Sequence, residues 1–160
     1  MTTLVVQAHP LEQSYNSALL DAVVAQAPGA SVVRLGQGDR WTPYGCIDVT
    51  RLVAVYPTWW GSLPAMLLDA LNDLIGPWVD GDQSRDTSPL RTIESLTVLT
   101  SHGSPKRINM LQGEPGLQLW KRTIVPLCAP GASFSWQSLY KVDRVSPAER
   151  IAFVDSLTIT

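Results

Sequence analysis

The sequence predicts an α/β protein with one parallel β-sheet that is covered by helices on both faces. Short apolar runs rich in β-branched residues alternate along the chain with segments of helical periodicity. The shortest connection between two such runs, residues 36–51, is just long enough for a parallel crossover, which needs about a dozen residues. The alternation continues through all 160 residues without an internal repeat. We therefore expect a single domain spanning residues 1–160.

The first half of the chain has three predicted strands and two helices. In order, they are strand 3–8, helix 16–26, strand 31–35, strand 52–56 and helix 65–75. Residues 36–51 are polar, carry three glycines and a proline, and show no helical pattern. We expect Pro57 to end the third strand and Gly76-Pro77 to end the second helix, because proline lacks the N–H that strands and helix interiors need.

The second half continues the same alternation. Its predicted elements are a solvated loop at 80–89, strand 96–100, a turn at 101–105, helix 116–127, strand 132–139 and helix 147–157. The fifth strand alternates apolar and polar residues. Apolar residues recur at helical spacing in the last helix. The five strands and their crossovers favour helices on both sides of the sheet.

The charge and the cysteines exclude several classes of function. The net charge is −2, which gives neither a basic surface for nucleic acid nor a polybasic patch for an anionic membrane. The N-terminus has no export-signal pattern, and no apolar run reaches the roughly 18 residues that span a bilayer. Cys46 and Cys128 lack metal-ligand spacing, so we expect no metal site and two buried thiols. These features together predict a cytoplasmic protein.

Ligands of parallel sheets bind beyond the carboxyl ends of the strands, where the strand order reverses. This rule selects the loops 9–17, 57–63 and 101–105. In the first loop, Ser14 and Asn16 stand where a helix begins, and the positive end of a helix favours an anion such as phosphate. His9 is within reach of the same point. The alternative is a capped helix with a turn histidine that binds nothing.

The second loop reads YPTWWGSLP and the third reads TSHGSP. Adjacent side chains in a strand face opposite ways, so Trp59 or Trp60 must leave the sheet interior and could cover a flat ring. Gly61 permits close approach of the backbone to a ligand. The turn around His102 offers backbone donors to the same ligand. The alternatives are tryptophans buried against helices or a partner subunit, and a plain turn with a solvent histidine.

Taken together, the loops resemble those of the flavodoxin-like NAD(P)H:quinone oxidoreductase family, which includes small flavoproteins associated with potassium-efflux systems. The stretch AHPLEQSYNSALL, residues 8–20, is similar to the family's phosphate loop. VYPTWWGSLPAMLLDAL, residues 55–71, is similar to its isoalloxazine loop. LTSHGSP, residues 99–105, stands in the place of its Thr-Thr-Gly-Gly turn and is the weaker match. The resemblance implies a flavodoxin-like sandwich with a five-stranded parallel sheet of order 2-1-3-4-5.

The resemblance also implies which residues bind a flavin nucleotide. The chain length favours FMN, although FAD remains open. The first loop would hold the phosphate, the second would carry the ring, and the third would approach its pyrimidine edge. The implied residues are His9, Ser14, Tyr15, Asn16 and Ser17 in the first loop, Pro57, Thr58, Trp59, Trp60 and Gly61 in the second, and Thr100, Ser101, His102 and Gly103 in the third. We take His102 as the candidate catalytic residue, stabilising charge near N1 and O2 of the flavin.

The function implied by the resemblance is hydride transfer from NAD(P)H through FMN to a quinone-like acceptor, in a homodimer. Three departures from the family pattern accompany it: the short second crossover, Ser101-His102 in the third loop, and Leu68 in place of a lysine. Two other functions stay open. One is an electron-carrier flavodoxin, against which the modest charge and the HPLEQSYN loop speak. The other is a regulatory subunit of a membrane transporter that keeps the fold mainly to bind its partner.

Overall fold

The computed structural model describes residues 1–81 and 84–159, and its centre is a five-stranded sheet in which every pair of neighbouring strands is parallel. The strand order is β2-β1-β3-β4-β5, as predicted. The strands are β1 (Thr3–Ala8), β2 (Ser31–Leu35), β3 (Arg51–Thr58), β4 (Ser95–His102) and β5 (Ser133–Tyr140). The chain runs outward from β1 to β2 and then returns past β1 to β3. The strand order therefore reverses between β1 and β3, and their carboxyl ends lie side by side.

Helices cover both faces of this sheet. They are α1 (Tyr15–Gln26), α2 (Ala65–Val79), α3 (Lys106–Leu111), α4 (Pro115–Leu119) and α5 (Pro147–Asp155). α1 packs against β1, β3 and β4 and also contacts α5. Within residues 1–81 and 84–159, none of the helices combines the length and the apolar character that crossing a bilayer requires.

The core divides into two apolar clusters, one on each face of the sheet. Val5, Val53 and Leu99 pack with the buried residues of α1, whereas Leu4 and Leu52 pack with those of α2. This division follows from the strand geometry, because successive side chains point to opposite faces. By the same alternation, Ser101 lies on the α1 face of β4 and His102 on the opposite face.

Pro57 does not end the third strand, so that prediction is wrong. β3 continues to Thr58, and Pro57 lies opposite Ser101 of β4. The pairing of β1 with β3 stops at Val55, so β3 has a neighbour on only one side at this proline. The missing N–H therefore leaves no gap in the ladder with β1.

Pro77 does not end the second helix either. α2 runs to Val79 and includes this proline in its last turn, where only one backbone hydrogen bond is lost. The Asp80 N–H then donates to the Gly76 carbonyl at 2.9 Å. The Trp78 indole donates to the Ser84 carbonyl at 2.8 Å and fastens the helix end.

The segment after β4 differs most from prediction. Ser101 and His102 belong to β4 rather than to a turn, and α3 was not predicted because its six residues include a buried asparagine instead of an apolar stripe. The predicted helix 116–127 begins as α4, widens into a π-helical turn at Trp120–Ile124 and tightens into a 3₁₀ turn at Val125–Leu127. The fully buried Trp120 indole donates to the Tyr56 hydroxyl at 2.7 Å, which ties this segment to β3.

The connection 36–51 and the loop 80–89 were both predicted to lack regular structure. The connection 36–51 has no α-helix, as predicted, and contains one 3₁₀ turn, Pro43–Cys46. Positions 82 and 83 of the predicted solvated loop 80–89 lie outside the described residues. In the rest of that loop Ser88 is buried and donates to the Leu127 carbonyl at 2.8 Å, so the loop is not solvated throughout. The other element boundaries differ from prediction by a residue or two.

Candidate functional site

The three loops selected from the sequence meet in one cleft at the carboxyl edge of the sheet, beside the point where the strand order reverses. The cleft has a volume of about 360 Å³. Eight of the predicted residues line it: His9, Tyr15, Asn16, Pro57, Thr58, Trp59, Ser101 and Gly103. A segment that was not predicted contributes Val142, Asp143 and Arg150.

The first loop caps α1 with its own serines. The Ser14 hydroxyl accepts the Ser17 N–H at 3.2 Å, and the Ser17 hydroxyl donates to the Glu12 carbonyl at 2.6 Å. Neither serine is among the described residues that line the cleft, so phosphate binding by their hydroxyls stays a prediction. Among the described residues, no acceptor is found for the N–H groups of Tyr15 and Asn16. These two donors at the positive end of α1 remain available to an anion.

His9 joins the first two loops. Its Nδ1 lies 3.1 Å from the Leu11 nitrogen, and its ring centroid lies 6.2 Å from that of Trp59. The His9 backbone is fixed from the other side, because its N–H donates to the Leu35 carbonyl at 3.3 Å. Gly36, which follows Leu35 at the end of β2, has a φ of +89°. A Cβ built on Gly36 would lie 3.1 Å from the His9 carbonyl oxygen. The turn after β2 therefore supports the first loop at close range.

Asn16 connects α1 to the third loop. Its side-chain nitrogen donates to the Ser101 hydroxyl at 3.3 Å across the floor of the cleft. The residue is only 3% exposed, yet no hydrogen-bond partner for its Oδ1 is found in the described part of the chain. Buried polar atoms in native proteins are almost always paired. The unpaired Oδ1 is therefore a polar atom at this residue of the cleft that the described part of the protein leaves unsatisfied.

The second loop is a tight turn closed by a pair of hydrogen bonds between Trp59 and Ser62, at 3.0 and 2.9 Å. Trp60 and Gly61 both have positive φ, 53° and 78°, as in a type I′ turn. Trp60 is fully exposed, whereas Trp59 is 38% exposed and lines the cleft. Only Trp59 is therefore placed to cover a ligand in this structure, and binding by Trp60 and Gly61 stays a prediction.

The base of the cleft is held by Thr58 and Thr100, whose hydroxyls lie 2.9 Å apart at the ends of β3 and β4. Thr100 itself is buried and is not among the described lining residues. Of the predicted third-loop residues, Ser101 and Gly103 reach the cleft surface. This pairing fixes the spacing of the second and third loops, and ligand binding by Thr100 stays a prediction.

His102 lies beneath the third loop, on the opposite face of the sheet from Ser101. Its Nδ1 is 2.9 Å from Asn109 Oδ1, and its ring stacks on Tyr140 with centroids 4.5 Å apart. Burial lowers the pKa of this histidine, although the Asn109 hydrogen bond and the nearby Glu114 oppose the effect. The imidazole is therefore neutral at pH 7 and supplies no positive charge. His102 is not among the described cleft residues, so direct catalysis by it stays a prediction.

The connection from β5 to α5 forms a fourth wall of the cleft, which was not predicted from the sequence. Val142 N–H donates to the His102 carbonyl at 2.9 Å, and a Cβ on Gly103 would lie 3.3 Å from Asp143 Oδ2. Arg150 reaches the cleft from the first turns of α5, and the Tyr15 hydroxyl donates to its carbonyl at 3.1 Å. Isolated charges on an amphipathic helix carry no sequence signal, so only the packing of α5 on α1 reveals them.

No family model matches the sequence, and a search for curated relatives finds no significant match. Solved structures do match over nearly the whole chain. Smu.1420 from Streptococcus mutans has a TM-score of 0.75 at 16% identity, covering 97% of this chain and 95% of its own. General stress protein 14 from Treponema denticola, solved in complex with FMN, has a TM-score of 0.69 at 18% identity, covering 98% and 93%.

An NAD(P)H:quinone oxidoreductase from Methanothermobacter marburgensis also matches, with a TM-score of 0.66 at 16% identity over 97% of this chain and 92% of its own. The strand order and these full-length matches agree. The chain has the flavodoxin-like fold. The matches are consistent with the resemblance seen in the loops, and at these identities what they establish is the fold.

The polar groups of this flavodoxin-like fold at the carboxyl edge of the sheet fit a phosphorylated ligand. Tyr15 and Asn16, whose N–H groups have no acceptor among the described residues, line the same cleft as the cationic Arg150. Burial raises the pKa of Tyr15 to about 12, even though Arg150 lowers it, so the phenol stays neutral at physiological pH. Asp143 is the one carboxylate among the described lining residues, and it lies beside Gly103 at the third loop.

Proposed function

We propose that this chain binds FMN and is an NAD(P)H-dependent oxidoreductase that reduces quinones or similar small electrophiles. One observation carries the proposal: the three loops that resemble those of the family meet in one cleft, at the point where the strand order of the sheet reverses. The FMN complex of the Treponema denticola protein and the name of the Methanothermobacter marburgensis enzyme support the same proposal. Buried free thiols suit a reducing compartment, so a cytoplasmic location belongs to the proposal.

In this proposal the chain holds and orients the cofactor. The N–H groups of Tyr15 and Asn16 receive the phosphate, and Trp59 covers the ring. Ser101 and Gly103 border the polar edge of the ring. When bound, FMN supplies the capacity to accept a hydride from NAD(P)H and to pass two electrons to the acceptor. The Thr58–Thr100 contact and the buried Asn16–Ser101 hydrogen bond keep the loops in place, so little ordering accompanies binding.

An apolar surface beside the cleft favours self-association, and we propose a homodimer. Trp60 is fully exposed, Leu111 is 83% exposed and Met110 is 59% exposed. The Trp60 turn and the end of α3 are contiguous, because a Cβ on Gly61 would lie 3.3 Å from Gln112 Oε1. Apolar side chains grouped in this way mark interfaces.

Analytical ultracentrifugation of the wild type and of Trp60→Ser tests the proposed homodimer. The wild type should sediment as a dimer, and the variant should dissociate more readily. A monomeric wild type at micromolar concentration would contradict it.

The activity is tested by following NAD(P)H absorbance with a naphthoquinone as acceptor, with and without added FMN. We expect NAD(P)H consumption that requires both FMN and the quinone. Asn16→Leu should abolish it by removing the link to Ser101, whereas Asn72→Leu, a matched change on the exposed face of α2, should not. Binding of FMN without consumption of NAD(P)H would instead favour an electron carrier. If such a protein also captured a membrane transporter, a regulatory subunit would be favoured.

A further inference from the structure

Arg150 is a cation on the wall of the cleft, and its side chain has no hydrogen-bond or ion-pair partner among the residues that the structure describes. Its side chain lines the cleft, and its Nε is buried without a hydrogen-bond partner among the described residues. Nor is an ion pair found within 4.0 Å of it in residues 1–81 and 84–159. Burying a guanidinium nitrogen without a partner costs free energy, so this unpaired atom on the cleft wall calls for an explanation.

The neighbouring carboxylates do not neutralise Arg150. Glu149 precedes it directly, but its Oε2 accepts hydrogen bonds from the Ser146 N–H and hydroxyl, both at 2.8 Å. These bonds form the capping box that starts α5, and they lower the pKa of Glu149. Asp143 lines the same cleft but lies beside Gly103, and no ion pair between it and Arg150 is found. The positive charge is therefore left for a ligand.

Arg150 is tied to α1 through a side chain of that helix. The hydroxyl of Tyr15, the first residue of that helix, donates to the Arg150 carbonyl at 3.1 Å. Tyr15 and Asn16 provide the two N–H groups without an acceptor, and Asn16 also carries the unpaired Oδ1. A guanidinium fork and two free backbone donors in one cleft offer the kinds of donor that the oxygens of a phosphate monoester accept.

We infer that Arg150 binds the 5′-phosphate of FMN, and that this contact makes the cleft select FMN over unphosphorylated riboflavin. The inference rests on the proposed function. A phosphate monoester carries about −1.5 to −2 charges at pH 7, which Arg150 and the helix N-terminus together compensate. NADPH offers the same chemistry in its 2′-phosphate. The FMN phosphate is preferred because Arg150 shares its cleft with Tyr15 and Asn16 of the first loop, where the resemblance also places the phosphate.

The experiment is a fluorescence titration of the full chain, freed of bound flavin, with FMN and separately with riboflavin. The variants are Arg150→Gln, Arg150→Lys and the control Arg144→Gln, an exposed arginine in the same β5–α5 connection. A charge-assisted hydrogen bond is worth 1.5–3 kcal/mol, so R150Q should weaken FMN binding by about tenfold to a hundredfold. Its riboflavin affinity should stay unchanged. R150K should lose less, because it keeps the charge but not the fork, and R144Q should behave as the wild type.

Each other outcome overturns the assignment in a distinguishable way. Equal losses for FMN and riboflavin in R150Q would make Arg150 a structural residue. No loss for either flavin, with weaker binding of NADPH but not NADH, would assign the cation to the nicotinamide cofactor. A wild type that binds both flavins equally well would show no phosphate selection. A wild type that binds neither flavin would overturn the proposed function and this inference together. R150K provides the comparison if thermal unfolding shows that R150Q does not fold.

Discussion

Gly36 supports the cleft at a position where a side chain has no room, so Gly36→Ala perturbs stability and ligand binding together. Its φ is +89°, and an added Cβ would lie 2.9 Å from Met66 Sδ, 3.1 Å from the His9 carbonyl oxygen and 3.2 Å from Pro10 Cα. Met66 is flexible and can move, but the other two contacts are backbone atoms of the first loop. Alanine at position 36 must therefore displace the His9-Pro10 segment that borders the cleft.

The expected magnitude has two parts. A left-handed conformation costs a non-glycine residue about 1–2 kcal/mol, and crowding of a packed region costs about 1–3 kcal/mol more. Gly29 is a matched control, because its φ is +87° and a Cβ there would meet nothing within 4 Å. Gly29→Ala therefore bears only the first cost. The unfolding free energy of G36A should lie below that of G29A by about 1–3 kcal/mol.

Urea unfolding of the two variants and the wild type measures this difference, and titration with FMN measures its effect on the cleft. We expect G36A alone to bind FMN more weakly, because only this substitution shifts His9. The double variant G36A/M66A should recover part of the loss, since it removes the closest contact. Equal destabilisation of G29A and G36A, with equal FMN affinities, would refute the reasoning about close packing at this turn.

Three further predictions concern the interior and the helix start. Trp120→Phe removes the donor to the buried Tyr56 hydroxyl and should lower the free energy of unfolding, measured in urea, by about 1–3 kcal/mol. The double variant with Tyr56→Phe should recover most of this loss. Additive losses in the double variant would contradict the prediction. Ser14→Ala removes the cap of α1 and should cost about 1 kcal/mol in the same assay, and Ser14→Gly should cost less; no loss in S14A would argue against the cap. Burial lowers the pKa of His102 from its ordinary 6.5, so below that pH the unfolded chain binds a proton more readily than the folded chain. The free energy of unfolding should therefore fall as the pH drops below 6.5. Urea unfolding at several pH values should show a weaker pH dependence in His102→Gln than in the wild type. An unchanged dependence would contradict the assignment of this effect to His102.

The sheet was predictable because its strands are short apolar runs whose order the loop resemblance fixed. The two prolines misled the prediction for a shared reason. A proline disrupts an element most where the ladder or helix continues past it, whereas Pro57 lies at the half-paired end of β3 and Pro77 lies in the last turn of α2, where only one backbone hydrogen bond is lost. Sequence alone does not state which backbone groups have partners.

The candidate site was likewise predictable only in part. Residues adjacent to the sheet edge, such as Asn16 and Thr58, were predictable because strand ends and helix starts are visible in the sequence. The position of His102 was not, because the extension of β4 by two residues decides which face its side chain takes. Arg150 was missed because its neighbour Tyr15 is distant in sequence, and only the packing of α5 on α1 brings the two together.

The central claim is that the cleft at the carboxyl edge of the sheet binds FMN. Titration of FMN into the purified, flavin-free protein tests it most directly, with visible absorbance and flavin fluorescence recorded at each addition. We expect a saturable transition at one FMN per chain, with a shifted flavin spectrum and quenched fluorescence from contact with Trp59. A flavin spectrum and fluorescence that remain those of free FMN throughout would contradict the claim.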